Sequence, residues 1–200
     1  MIIYDLNGED CVKEQIYNIL EVIDPIFFFA MGHGAPDAFT DNNEEIVWQC
    51  GENSCYLPPT NLKGRIVYLW SCLTARELGP KIIEYGAISY IGYNEEWAWV
   101  SSTTPAGDPY NDPYAACFFD SASEIIRALV DGCTVGQAVQ KSIDKYNAWI
   151  SYWEQSEDIY ASEIIKWLIW DRDALTQLGD TEARLIPPDK EIGIFVKVLD

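Results

Sequence analysis

Basic residues are scarce in this 200-residue chain: 13 Lys and Arg stand against 32 Asp and Glu, for a formal net charge of −19. That balance argues against nucleic acid as a partner, because phosphate binding needs clustered cations. An acidic surface keeps a protein soluble and attracts cationic substrates; it also suits a saline habitat. Long apolar runs are missing as well. The longest, Pro25 to Met31, is far too short to span a bilayer, so no membrane partner is expected. The opening Met1-Ile2-Ile3-Tyr4-Asp5 lacks a basic n-region. This predicts no secretory signal, a cytoplasmic location and reduced thiols. Internal repeats, low-complexity tracts and linkers are absent, so residues 1–200 are expected to form a single domain. No Gly-rich phosphate loop occurs, and no cofactor is expected. Histidine is the rarest chemical resource, since His33 is the only one.

What is present is a globular composition, 48% hydrophobic with eight Trp, twelve Tyr and seven Phe. Apolar runs at 2–6, 26–31, 65–70, 87–93 and 191–198 predict strands. Helices are expected at about 11–22 (capped by Asn7 or Asp10), 75–85 (closed by Gly86), 112–130, 134–153 (capped by Thr134) and around 162–170. Residues 46–57 suggest a hairpin with a Gly/Asn turn, 35–45 a polar loop, and 94–111 a long loop of the kind that is functional or mobile. Strands alternating with helices imply an α/β fold with a mostly parallel sheet covered on both faces.

Two of these strands end in reactive side chains. Ile26-Phe27-Phe28-Phe29-Ala30-Met31-Gly32 runs into His33-Gly34, and Arg65-Ile66-Val67-Tyr68-Leu69-Trp70-Ser71 runs into Cys72. In an open α/β sheet, ligand sites form at the C-terminal strand edge. A helix starting within about three residues of Cys72 would stabilise its thiolate and offer N–H groups to an oxyanion. Gly34, without a Cβ, lets its backbone approach a substrate carbonyl. Taken singly, His33 is an ordinary loop residue and Cys72 a small buried apolar one. Together at one edge they form a base and a nucleophile for thiol acyl transfer.

The pattern of a hydrophobic strand ending in His-Gly, then another ending in Ser-Cys, resembles that of the caspase-fold cysteine peptidases, most closely the gingipain and CHAT branch. Leu62 to Ala75 is similar to the nucleophile segment of that branch, and Glu84 to Tyr93 to the Gly-Ala strand that follows. Leu178-Gly179-Asp180 is faintly similar to a late Gly-Asp-Pro motif, with Thr181 in place of Pro. The two main motifs lie about forty residues apart and cover roughly residues 26–97. The resemblance implies a three-layer αβα sandwich with helices on both faces, Cys72 as nucleophile and His33 as general base. It also implies an oxyanion hole made by the N–H groups of Gly34 and Cys72, and no third acidic member. In the family, the loop after the next strand shapes the pocket for the residue before the scissile bond. Here that loop offers Glu95, Glu96 and Trp97, with Asp37 a further candidate. These carboxylates suit a peptide or protein substrate with Arg or Lys at that position. A pocket for Asp would need arginines, and only Arg65 and Arg76 are near in sequence.

Other patterns carry less. Cys50-x4-Cys55 is wrongly spaced for a zinc knuckle, so no metal is expected and the pair reads as packing or loosely redox-active thiols. Arg76 falls two residues short of a Cys-x5-Arg phosphatase loop. Trp149, Trp153, Trp167 and Trp170 read as helix packing.

Overall fold

The computed structural model describes residues 2–103, 107–185 and 193–196, the last four as backbone. In chain order the elements are β1 (Ile2–Asp5), α1 (Lys13–Val22), β2 (Phe27–Met31), β3 (Gly34–Ala35), β4 (Ala38–Thr40), β5 (Ile46–Cys50) and β6 (Cys55–Leu57). They continue with β7 (Ile66–Trp70), α2 (Leu78–Glu84), β8 (Ser89–Tyr93), α3 (Ala116–Val130), α4 (Val135–Glu154), α5 (Ala161–Ala174), β9 (Leu175–Gly179) and β10 (Gly193–Val196). The fold is α/β around a mixed, mostly parallel sheet in the order β1-β10-β2-β7-β8-β9. Only β9 runs antiparallel, pairing Ser89 with Gly179 through Tyr93 with Leu175.

Period-two alternation sorts the strand side chains into two clusters. Phe27, Phe29, Ile66, Tyr68, Trp70, Ile91 and Tyr93 join apolar residues of α3, α4 and α5. Phe28, Ala30, Val67, Leu69 and Tyr90 join Ile16 and Leu20 of α1 and Leu78 and Ile82 of α2. Each fully buried side chain of this size stabilises the fold by about 1.5–3 kcal/mol. No helix among the described residues is long and apolar enough to cross a membrane.

Several local expectations need correcting. Residues 35–45 are not simply a loop: β3 and β4 form a hairpin that joins β5 and β6 in a four-stranded antiparallel sheet. The α1 helix starts at Lys13 and takes its cap from a distance, since neither Asn7 nor Asp10 supplies it. The buried Asp41 carboxylate accepts Lys13 N–H at 2.8 Å and also closes its own turn on Asn43 and Glu45. Cys50 and Cys55 are disulfide-bonded across the β5–β6 hairpin, where free thiols were expected. The α3 helix begins at Ala116, four residues later than expected, because Asp112 turns the chain by accepting from Tyr114 and Ala115 N–H. In contrast, α4 has the expected Thr134 cap, a capping box completed by Gln137. Gly86, at φ +97°, follows α2 in the left-handed conformation that a helix terminus needs. Of the final predicted strand, residues 191–192 and 197–198 lie outside the described residues.

Candidate active site

Strand register brings the two reactive segments together. β2 and β7 are parallel neighbours, with Met31 opposite Trp70, and Gly32 N–H donates to the Trp70 carbonyl. Both His33 and Cys72 therefore lie two residues past the last paired position, at the C-terminal edge. Gly34 packs directly on the thiol-bearing turn. A Cβ at Gly34 would lie 2.6 Å from the Cys72 carbonyl oxygen and 2.6 Å from Thr74 Cγ2. Only glycine permits this approach.

The turn after Cys72 is built to hold its shape. Leu73 has φ +64°, a left-handed conformation that costs a branched L-residue energy. Surrounding bonds hold it there: Leu73 N–H donates to the Glu95 carbonyl and Ala75 N–H to the Tyr93 carbonyl, each at 3.0 Å. Beneath it, Tyr90 Oη donates to Thr74 Oγ1 at 2.9 Å, and Thr74 Oγ1 lies 3.0 Å from Ser71 Oγ. Sequence reading passed over Ser71, Thr74 and Tyr90. Their only signal was polar groups inside otherwise apolar strand ends.

The helix expected just after Cys72 is displaced. α2 begins at Leu78, six residues beyond Cys72, and the N–H groups between are spent elsewhere: Leu73 on the Glu95 carbonyl, Ala75 on the Tyr93 carbonyl and Arg76 on the Leu73 carbonyl. The Glu77 and Leu78 N–H groups are met by the Pro36 carbonyl from the β3–β4 turn. The thiolate thus gains no helix-terminus support. Burial pushes the half-buried Cys72 thiol above the ordinary cysteine range. Its backbone hydrogen bond with Trp97 offsets part of that rise, while the negative charges of Glu96 and Asp171 add to it.

The two expected oxyanion donors, the N–H groups of Gly34 and Cys72, are placed differently. Thr40 N–H donates to the His33 carbonyl at 3.1 Å while Gly34 pairs with Phe39, which makes Gly34 a non-hydrogen-bonded position of the hairpin. Its own N–H therefore points away from β4. The Cys72 N–H makes no backbone–backbone bond and instead lies against its own thiol, where it offsets part of the rise caused by burial. The thiol itself contacts the Trp97 carbonyl, with Sγ 3.8 Å from the oxygen. The exposed His33 imidazole has no hydrogen-bond partner among the described residues.

The expected pocket residues are placed unequally. Glu95 is already paired with Arg76 at 2.6 Å, and Arg76 Nε also donates to the Asn94 carbonyl. Glu96 is exposed. The Trp97 ring is only 9% exposed and packs edge-on against Trp70 and Phe119 at 4.9 and 5.1 Å, so it meets the thiol through its carbonyl. Asp37, in the β3–β4 turn, accepts from Gln49 Nε2 at 3.1 Å. Arg65 sits just before β7, at the opposite end from Cys72, and binds the Leu20 carbonyl and Asp24. No protein-family model, curated protein or solved structure matches this chain. Among the described residues, no group of three or more His, Cys, Asp or Glu is arranged to hold a metal ion.

What sequence reading missed is Asp171. This α5 carboxyl is wholly buried, accepts Ala98 N–H at 3.1 Å through Oδ1, and has no partner for Oδ2 among the described residues. Burial pushes it well above the usual carboxylate range.

Proposed function

We propose that the chain is a cysteine endopeptidase of caspase-like three-layer architecture, with Cys72 as nucleophile and His33 as general base. The observation that carries this reading is the β2–β7 register, which sets His33-Gly34 against Ser71-Cys72 at one strand edge. In the proposed reaction the Cys72 sulfur attacks the scissile carbonyl carbon, and His33 takes the thiol proton and passes it to the leaving amine. The tetrahedral oxyanion accepts from Gly34 and Cys72 N–H. Water, deprotonated by His33, then hydrolyses the thioester. The substrate carries Arg or Lys before the scissile bond, a preference supported by the carboxylates of Glu96 and Asp37. Glu95 contributes less, because Arg76 already holds it.

The test is turnover of fluorogenic peptides ending in Arg or Lys. Wild type is expected to hydrolyse them and Cys72→Ala to leave only the uncatalysed background. Equal rates for the two proteins, or none for wild type, would sink the peptidase reading. A second reading, a silent or latent interaction module on the same fold, is favoured by one contact: the thiol engages the Trp97 carbonyl. Alkylation of Cys72 at neutral pH much faster than the other thiols would argue against it.

A further inference from the structure

Residues 94–98 follow the end of β8 and meet the thiol at the Trp97 carbonyl, and each link in this segment is fastened. Asn94 N–H donates to the Ala174 carbonyl and Leu73 N–H to the Glu95 carbonyl. Trp170 Nε1 donates to the Glu96 carbonyl at 2.7 Å. The Trp97–Ala98 peptide group is held from both sides: its oxygen faces Cys72 Sγ, and its N–H donates to Asp171 Oδ1. These fastenings differ in quality. The Arg76–Glu95 pair is 43% and 41% exposed, and the Trp170 ring is 41% exposed, so water competes for both. At the far end of the segment the buried fastenings are the Trp97 ring, wedged against Trp70 and Phe119, and the Asp171 carboxyl.

Asp171 is costly where it stands. One of its oxygens is unpaired in the core, and an apolar residue of similar volume would pack there without that penalty. What the carboxyl supplies that an apolar residue lacks is the acceptor for Ala98. We propose that residues 94–98 form a strap that covers the Cys72 thiol, and that Asp171 is the positioning residue that keeps this strap closed. The strap is opened by whatever displaces α5 or competes for the Ala98 N–H. The proposal concerns access to the thiol, so it can be tested whether or not that thiol cleaves peptides.

The experiment is alkylation of the full chain by iodoacetamide at fixed pH. Modification at Cys72 is read by mass spectrometry against half-buried Cys133 as an internal reference. Asp171→Leu and Ala98→Pro each delete one side of the bond. Either is expected to raise the Cys72 rate about tenfold with Cys133 unchanged, the local opening that loss of one buried hydrogen bond produces. Asp171→Asn keeps an acceptor oxygen while losing the same charge, so it is the reference for Asp171→Leu. The Leu variant is expected to react faster than the Asn variant, and equal rates for the two would overturn the proposal. Should Asp171→Leu not fold, Ala98→Pro decides. A Cys72 rate at or below wild type in the folded variants overturns the proposal, as does a rise shared equally by Cys133. Peptide hydrolysis plays no part in the readout, so failure here and failure of the peptidase reading are separable.

Discussion

Gly34 is the residue on which the site geometry depends most directly. Its missing Cβ is what allows the His33 segment and the Cys72 turn to meet, and two atoms at 2.6 Å leave a methyl group no room. One of these atoms is backbone, so the conflict cannot be relieved by a side-chain rotation. Gly34→Ala is therefore expected to destabilise the fold by about 2 kcal/mol, the usual scale for overpacking, and to abolish selective Cys72 reactivity. Thermal unfolding together with Cys72 alkylation checks this; an unchanged Tm and unchanged reactivity would contradict it. At this scale the sequence was informative about His33, Gly34 and Cys72, because strand ends announce themselves through apolar runs. It was silent on Asp171, whose importance lies in a bond to Ala98, 73 positions away in sequence. The state of the thiol was also misjudged. Burial raises its pKa, and the helix expected to support the thiolate starts only at Leu78.

Among the elements, the entry to α3 shows how one side chain organises a loop. Burial pushes the Asp112 carboxyl up, but hydrogen bonds from Ser102, Ala115 and Tyr114 outweigh it and hold the group at about 2. A folded pKa below the unfolded value, about 3.9, means that this carboxylate contributes stability above pH 4. The contribution is lost as pH falls from about 4 to about 2. Asp112→Asn is accordingly expected to be less stable than wild type at pH 7, with the difference shrinking through that window. Urea midpoints at pH 7 and pH 2 measure it, and a gap independent of pH would contradict the assignment. The elements were legible where periodicity was strong: β2, β7, β8, α4 and the β5–β6 hairpin all lie close to their expected positions. The misses have a common cause. β3, β4 and β9 are short and partly polar, and their strand character comes from partners supplied by the fold. The α1 cap likewise comes from Asp41, too far along the chain for any local pattern to reveal.

For the whole molecule, the parallel β2–β7 pair at the middle of the sheet sets two strand ends side by side, and α5 reaches the same edge through Asp171 and Trp170. The α/β class with a mostly parallel sheet was legible in the alternation of elements. The antiparallel β9 that makes the sheet mixed was not. With 32 acidic residues in the chain, the sequence alone could not single out a carboxylate for a substrate pocket. The central claim, that His33 acts on Cys72, is tested most directly by covalent trapping with an arginine-based peptidyl acyloxymethyl ketone. The rate of adduct formation at Cys72 is compared between wild type and His33→Ala by mass spectrometry. The account predicts a single adduct on Cys72 in wild type, formed at least about a hundredfold more slowly without the imidazole base. Equal labelling of the two proteins, or no labelling of wild type, would contradict it.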